Sequence, residues 1–154
     1  MKEKEEVIYK HRQTGYVVLL SLGLSIPIIT GLMVSQRTGP AVPLCILLAT
    51  LVGLAILFWS LTVEVRPGTL RLKFGPGLIR KTIPMSKIQG CRTVRNPWYY
   101  GWGIHLTPRG WLYNVSGFEA VELDLAGGRH VRIGTDEPEK LGQAIMAVME
   151  GHGL

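Results

Sequence analysis

The chain has 154 residues, of which 47% are hydrophobic and 18% are charged, and its formal net charge is +6. This composition excludes an intrinsically disordered chain, and two cysteines are too few for a disulfide-rich secreted scaffold. The apolar residues are concentrated in the first half, since Arg37 is the only Lys, Arg, Asp or Glu between Gly15 and Val63. A cytosolic enzyme with one large core is therefore disfavoured as well.

The first apolar run predicts a membrane span. Residues 15–34 contain no charge, and twenty helical residues extend about 30 Å, which is the thickness of the hydrocarbon core of a bilayer. A cleaved signal peptide is the alternative, but the run is longer than the apolar region of a signal peptide and lacks a small-residue cleavage site. The preceding residues 1–14 form a short polar segment with four Lys or Arg and three Glu residues.

A second uncharged run, residues 41–63, predicts a second transmembrane helix. The intervening residues 35–40 contain turn-forming residues and Arg37, so the two helices are expected to form a tight antiparallel hairpin. Four Lys or Arg residues precede the first helix, one lies in the loop, and three closely follow the second. This distribution predicts cytoplasmic termini and an extracytoplasmic loop at residues 35–40. The residues expected to anchor the helices at the membrane interface are Arg12, Tyr16, Trp59 and Arg66.

Beyond residue 60 the apolar residues alternate with polar ones, which is typical of strands with one buried face. Glycine and proline residues interrupt this pattern at regular intervals and mark turns. The predicted strands are 61–66, 69–74, 79–83, 88–95, 103–107, 111–115, 119–125 and 129–134. Short strands at this spacing predict an antiparallel sandwich or a small barrel. No room for a flexible linker remains after Trp59, so the first strand is expected to begin at the bilayer surface.

The last predicted element is an α-helix over residues 137–149. Asp136 is a suitable N-cap, and Glu139 three residues later would complete a capping box. Apolar residues at helical spacing form a single stripe, which is expected to cover the open end of the barrel. The stripe consists of Leu141, Ile145, Val148 and Met149.

Four segments of the second half resemble the bacterial families of pleckstrin-homology (PH) domains. They are the hairpin LTVEVRPGTLRLKFGPG from Leu61, IPMSKI at 83–88, NPWYYGWGI at 96–104 and VELDLAGGRHVRIGTDEPEKL at 121–141. The resemblance covers residues 61–150 and implies a PH-like antiparallel β-barrel or sandwich of about seven strands, capped by one α-helix. Such domains often stand beside transmembrane helices, which implies a multi-pass protein of the bacterial inner membrane.

The charges of the predicted β-domain are separated along the chain. Residues 65–118 contain nine Lys or Arg and no acid, whereas residues 119–154 contain three Lys or Arg and seven acids. A basic surface beside the cytoplasmic leaflet would attract anionic lipid headgroups, at about 1 kcal/mol per Lys or Arg. The predicted lipid- or anion-binding residues are Arg71, Lys73, Arg80 and Lys81. Alternatively, these side chains are simply solvated.

Four large aromatic residues occur within five positions, and Pro97 and Gly101 interrupt regular structure there. They are Trp98, Tyr99, Tyr100 and Trp102. Such a segment could enter the membrane interface or anchor a partner, because Trp and Tyr dominate interface hot spots. The alternative is that two of them, Trp102 above all, fill the barrel as core residues.

The sequence lacks the motifs that indicate catalysis or a metal site. It contains no P-loop, no G-x-S-x-G, no H-E-x-x-H and no C-x-x-C. Glu122 and Asp124, two residues apart on one strand, are expected on its solvated face. Arg129 and Arg132 on the next strand would balance their charge. We therefore predict that the protein is not an enzyme and has no catalytic residues, metal or cofactor.

These features together predict a membrane-anchored binding or adaptor module. The hairpin would fix the depth and orientation of the PH-like domain. Even a surface with low affinity could then bind its partner, because the local concentration at the membrane is high. The expected partners are the bilayer with its anionic headgroups and another membrane protein or a second copy of the chain. A small transporter or channel subunit is the alternative, although Cys45 is the only ionisable residue within the helices apart from Tyr16 at the start of the first. Nucleic acid is not expected as a partner, because anionic lipid would compete with it for the same Lys and Arg side chains.

Overall fold

The computed structural model describes residues 6–35 and 41–151. Apart from Ser35, the predicted loop 35–40 lies outside the described residues, and so do residues 1–5 of the N-terminal segment. The described part contains two apolar helices, two β-sheets and a C-terminal helix. The predicted combination of apolar helices with a β-sandwich and a C-terminal helix is confirmed at this level.

The two apolar helices are α1, Tyr16–Ser35, and α2, Ala41–Phe58, and they contact each other. By length and composition α1 is able to cross a membrane, whereas α2 is also apolar but shorter. Leu22 is the buried residue of α1, and most large apolar side chains of both helices are exposed. A helix in the core of a soluble protein would bury such side chains, so these two helices do not form a soluble core.

The predicted end of the second helix at Val63 is wrong, because α2 ends at Phe58. Residues Ser60–Val65 form strand β2, in which Leu61, Val63 and Val65 are buried. Neighbouring strands pair with β2 on both sides and satisfy its backbone donors and acceptors. The last residues of the uncharged run therefore form a strand and not a helix, as the alternating pattern that starts at Leu61 indicates.

The first sheet is antiparallel and has the order β1-β2-β3-β4. Besides β2, its strands are β1, Tyr9–Thr14, β3, Thr69–Phe74, and β4, Ile79–Pro84. We did not predict β1, which lies within the N-terminal segment. The helix pair is thus inserted between two strands that pair directly with each other, with Thr14 opposite Ser60.

The second sheet has the order β5-β8-β9-β7-β6. Its strands are β5, Ile88–Arg95, β6, Gly103–Thr107, β7, Gly110–Asn114, β8, Glu119–Leu125, and β9, Arg129–Gly134. Because β7 pairs with β9 in parallel, this sheet is mixed and not antiparallel as predicted. The described residues contain nine strands, which is more than the expected number of about seven.

One hydrophobic core lies between the two sheets and the C-terminal helix α3, Pro138–Gly151. The predicted stripe of α3 is confirmed, because Leu141, Ile145 and Val148 are buried and the helix contacts β5 and β8. The first sheet contributes alternate residues such as Leu72 and Phe74, both fully buried. The core therefore consists of the residues that the alternating and helical patterns mark as apolar.

The start of α3 differs from the prediction that Asp136 caps it. The helix begins at Pro138, so Glu137 and not Asp136 directly precedes it, and the Glu137 N–H donates a hydrogen bond to the Thr135 hydroxyl at 3.1 Å. The Asp136 carboxylate lies 2.6 Å from Nε2 of His11, on the newly found strand β1. Asp136 therefore interacts with His11, which is remote in sequence, and does not cap the helix.

Two glycines join the helix pair closely to the first sheet. The Gly15 N–H donates to the Trp59 carbonyl oxygen at 2.7 Å, and the Gly75 N–H donates to the Ser60 carbonyl oxygen at 2.8 Å. A Cβ at either glycine would overlap backbone carbonyl oxygens at the end of α2, and Gly75 also has a φ of +49°. The end of α2 is therefore held between two backbone segments that approach it directly.

Candidate functional site

The outer side of the first sheet carries a cluster of basic residues, which we call the basic face. Opposite residues in paired strands share a face, and the register brings these side chains together. The basic face consists of Lys10, Arg12, Arg66, Arg71, Lys73 and Arg80. One row across the four strands contains Arg12, Thr62, Lys73 and Arg80, and it lies towards the ends of the strands that adjoin the helices.

A single acid, Glu64, lies within the basic face. Its side chain is 4% exposed and lies 3.1 Å from Nζ of Lys73, 3.4 Å from Nζ of Lys10 and 3.3 Å from Nη2 of Arg66. Burial alone would raise the pKa of Glu64, but the hydrogen bonds from these cations, that of Lys73 above all, keep it below its ordinary value. Six bases around one ionised acid leave the basic face strongly positive.

Three of the four predicted interface anchors lie together where the helices meet the sheet. The Arg12 guanidinium stacks over the indole ring of Trp59, with Cζ 4.6 Å from the ring centroid. Tyr16 is the first residue of α1, and both rings are exposed. Arg66 does not join them, because it follows β2 at the end remote from the helices.

Lys81 does not belong to the basic face, although we predicted it with Arg71, Lys73 and Arg80. Adjacent residues of a strand point to opposite faces, so Lys81 points to the other face from Arg80. It is instead exposed beside a groove between the two sheets. The other three predicted residues do lie together, with Lys73 opposite Arg80 on the neighbouring strand.

The aromatic loop, which we define as Trp98, Tyr99, Tyr100 and Trp102, lies on the outer side of the second sheet. Trp98 and Tyr99 are 76% and 67% exposed, and their rings meet edge to face. Trp102 does not fill the core. It is half-buried, contacts the ring of Phe118 and donates from Nε1 to the Gly117 carbonyl oxygen at 3.2 Å.

Beneath the aromatic loop lies a buried ion network, so the prediction of a solvated Glu122 is wrong. The Glu122 carboxylate is fully buried and binds the guanidinium groups of both Arg92 and Arg132. Arg132 also donates to Oδ1 of Asn96 at 3.1 Å, and the Tyr100 ring covers it at 5.8 Å. Burial alone would raise the pKa of Glu122, but the hydrogen bonds from both arginines, Arg92 first, hold it below its ordinary value.

A short chain of contacts connects the aromatic loop with the helix end of β1. Trp102 binds Gly117, and Gln13 donates from Nε2 to the neighbouring Ser116 carbonyl oxygen at 3.1 Å. Gln13 precedes the first residue of α1 by three positions, or about 10 Å of extended chain. Phe118, which is partly exposed, lies beside Trp102. The aromatic loop is therefore supported from the side of the domain that carries the helices.

One group in the described part of the chain has the composition of a metal site: Glu122, Asp124 and His130. The Glu122 carboxylate is already paired with two guanidinium groups, whose positive charge opposes a cation. Asp124 binds His130 directly, with Oδ1 2.7 Å from Nδ1. The three side chains satisfy one another and the arginines, and their geometry does not favour a metal.

The groove beside Lys81 is lined by basic residues that we did not predict as a binding site. Lys87, Arg109 and Arg129 come from three separate segments, and Trp111 lies near them. The only sequence signal for this groove is the excess of Lys and Arg before residue 119, which covers Lys87 and Arg109 but not Arg129. Arg109 and Arg129 come close to each other because β7 pairs with β9.

The chain matches no model of a known protein family, and no curated protein or solved structure matches it at a significant level. The support for a function therefore comes from the geometry of the basic face, the aromatic loop and the helix–sheet junction.

Proposed function

We propose that the protein is a membrane-anchored, PH-like binding module that is displayed at the cytoplasmic surface of a bacterial inner membrane. The observation that carries this proposal is the junction of the two helices with two neighbouring strands of one sheet. The Gly15–Trp59 hydrogen bond of 2.7 Å closes the pair at this point. A domain attached through two paired strands has a defined depth and orientation at the membrane, unlike a domain on a flexible linker.

Two membrane spans are the arrangement that this junction favours. As an α-helix, the 18 residues of α2 extend about 27 Å, which is close to the thickness of the hydrocarbon core. Because β1 and β2 pair with each other, a membrane-inserted pair would leave residues 9–14 and 60–151 on one side. The excess of Lys and Arg on that side supports a cytoplasmic assignment.

The basic face supports contact with anionic lipid headgroups. Arg12, Lys73 and Arg80 lie in the row of side chains near the helices, and Arg12 also covers the interface residue Trp59. The turn after Gly75, which packs against the end of α2, carries Leu78 with 78% of its surface exposed. An exposed leucine beside cationic side chains suits the boundary between headgroups and acyl chains.

The aromatic loop supports a protein partner, either another membrane protein or a second copy of the chain. Trp98 and Tyr99 expose large rings on a short turn, and the ion network underneath fixes the position of Tyr100. Rigid, exposed aromatic side chains are frequent anchors of protein interfaces. The proposed mechanism is display of binding surfaces, with no chemical step.

The lipid contact can be tested on a soluble version of the β-domain. Because Thr14 lies opposite Ser60, an Asn-Gly turn replacing residues 15–59 should connect β1 to β2 as a hairpin. Sedimentation with vesicles of anionic lipid should show binding that is lost in neutral vesicles. The triple variant Arg12→Gln/Lys73→Gln/Arg80→Gln should lose about 3 kcal/mol, or roughly a hundredfold in affinity.

The matched control is the triple variant Lys87→Gln/Arg109→Gln/Arg129→Gln, which removes the same charge from another part of the domain. It should retain binding to anionic vesicles, and equal losses in both variants would contradict a defined basic face. Topology requires the full chain. A reporter fused after Leu154 that is active only in the periplasm would exclude the proposed orientation.

A further inference from the structure

A groove of about 530 Å³ opens where the two sheets separate, between β4 and the β6–β7 hairpin. Its apolar floor includes Ile83, Tyr113, Leu125 and Val131, which belong to both sheets. Trp111 lines one side and remains 47% exposed. The volume lies within the range of sites for small organic ligands.

The rim of the groove is basic. Lys81 and Lys87 come from the first sheet and the turn that follows it, whereas Arg109 and Arg129 come from the second sheet and its hairpin. No Asp or Glu is among the residues that line the groove. Within residues 6–35 and 41–151, none of these four side chains forms an ion pair with an acid. Four cations without internal partners around one cavity favour an anionic ligand.

The wall that carries Arg109 is fixed by backbone packing. Gly110 has a φ of +111°, and a Cβ at this position would overlap the backbone carbonyl of His130. The hairpin turn therefore packs directly against the start of β9, where Arg129 lies. His130 itself binds Asp124, with Nδ1 2.7 Å from Oδ1, so that acid is occupied next to the groove. The arginines of the rim are thus held close to each other by the sheet.

We propose that this groove binds a soluble, multiply phosphorylated organic ligand of the nucleoside triphosphate class. The cations at the rim would bind the phosphate groups, because charge-assisted hydrogen bonds to phosphate are among the strongest that proteins form. The exposed face of Trp111 would stack against the ring of the ligand, as aromatic side chains do with nucleobases. The apolar floor would exclude water from the remainder of the site.

The position of the groove favours a soluble ligand over a lipid headgroup. It follows β4 from Lys81 to Pro84, and Pro84 lies opposite Thr69 at the end of the sheet that is remote from the helices. From Arg80 to Pro84 the strand extends about 13 Å away from the helix end. Pro84 also lacks an N–H group, which makes β4 a poorer edge for an added acidic strand.

The test is isothermal titration calorimetry with the full chain in nanodiscs of neutral lipid, using ATP and inorganic tripolyphosphate as probes. We expect ATP to bind with a Kd below about 1 mM. The variant Arg109→Gln/Arg129→Gln should weaken both probes by about tenfold or more, because each arginine supplies a charge-assisted contact. Trp111→Leu should weaken ATP and leave tripolyphosphate unchanged, since only ATP contains a ring.

The matched control is Arg95→Gln/Lys140→Gln, which removes two exposed cationic side chains outside both the groove and the basic face and should change neither affinity by more than about twofold. Equal weakening in this control, or no ATP binding below about 1 mM, would overturn the proposal. So would tighter binding of hexaglutamate than of ATP. The last measurement repeats the ATP titration in nanodiscs that contain phosphatidic acid. If the lipid abolishes ATP binding by competition, the groove binds a lipid headgroup and the proposal of a soluble ligand is overturned. Loss of the basic-face lipid contact would leave this result unaffected.

Discussion

The outer faces of the two sheets both place a carboxylate among basic side chains, but they do so in different environments. On the first sheet, Glu64 is surrounded by cations that remain partly exposed, with Lys10 61% and Lys73 35% accessible. On the second sheet, Glu122 is fully buried and binds Arg132, whose side chain is 7% exposed beneath the aromatic loop, as well as Arg92, which is 52% exposed. The cations of Lys10 and Lys73 therefore remain accessible to solvent, whereas Arg132 is held inside the fold by Glu122.

The largest expected effect is on protein stability and concerns the buried carboxylate of the second sheet, Glu122. Glu122→Gln should destabilise the protein by about 3–5 kcal/mol, because it leaves the buried Arg132 without its counter-ion. The measurement is chemical denaturation of the full chain in mild detergent, followed by tryptophan fluorescence. Glu64→Gln should cost distinctly less, since its cations can turn to water. Equal losses would show that the two faces do not differ in this way.

The next effect concerns the attachment of the first sheet to the helices. Gly75→Ala should destabilise the protein by about 1–3 kcal/mol, because alanine is strained at a φ of +49° and its Cβ meets the Ile56 carbonyl. Gly23→Ala is the control, since nothing lies within 4 Å of the Cβ position there. Thermal unfolding of both variants checks the difference. A Gly75→Ala protein as stable as Gly23→Ala would exclude a close junction.

Acid should reduce the contributions of Glu64 and Glu122 to folding stability in the same pH range. The folded pKa values of Glu64 and Glu122 lie below the ordinary 4.5, so the folded state binds fewer protons than the unfolded chain near that pH. Their contribution to stability is complete above about pH 4.5 and decreases as the pH falls through the lower folded values. Unfolding free energies between pH 7 and 3 measure this loss. In Glu122→Gln the loss should be smaller, and an unchanged slope would contradict the assignment.

The smallest effect concerns the Arg12–Trp59 pair at the proposed membrane boundary. Replacing Arg12 by Gln removes the cation–π contact with Trp59, at a cost of about 0.5–1 kcal/mol for an exposed pair. A double-mutant cycle with Trp59→Leu isolates this coupling energy. Because the contact belongs to the basic face, the cycle should be carried out in neutral and in anionic nanodiscs. A coupling energy of zero in both would remove Arg12 and Trp59 as a joint anchor.

Most strands could be predicted because each has a clear alternation of apolar and polar residues. The predicted bounds of 69–74, 88–95, 103–107, 119–125 and 129–134 agree with the structure. Strand β1 could not, because YKHRQT contains little apolar alternation and its partner β2 follows only after the two helices. It forms because β2 offers a free edge and because His11 meets Asp136.

The candidate sites show the same limit. The adjacency of Arg80 and Lys81 already implies opposite faces in a strand, so the separation of Lys81 could have been deduced from the sequence. The burial of Glu122 could not, since it depends on the aromatic loop folding over β8 and β9. The groove could not be predicted either, because Arg109 and Arg129 converge only through the parallel pairing of β7 with β9, and Lys81 and Lys87 face them from the other sheet and its following turn.

The sequence by itself determined two apolar helices, a strand-rich second half, an amphipathic final helix and an excess of bases before residue 119. These properties follow from local periodicity and composition, which act over a few residues. The tertiary structure decided that the helices are inserted between β1 and β2, that Glu122 is buried, and that Lys87, Arg109 and Arg129 surround one groove. These depend on strand order and register, which bring together residues that are distant along the chain.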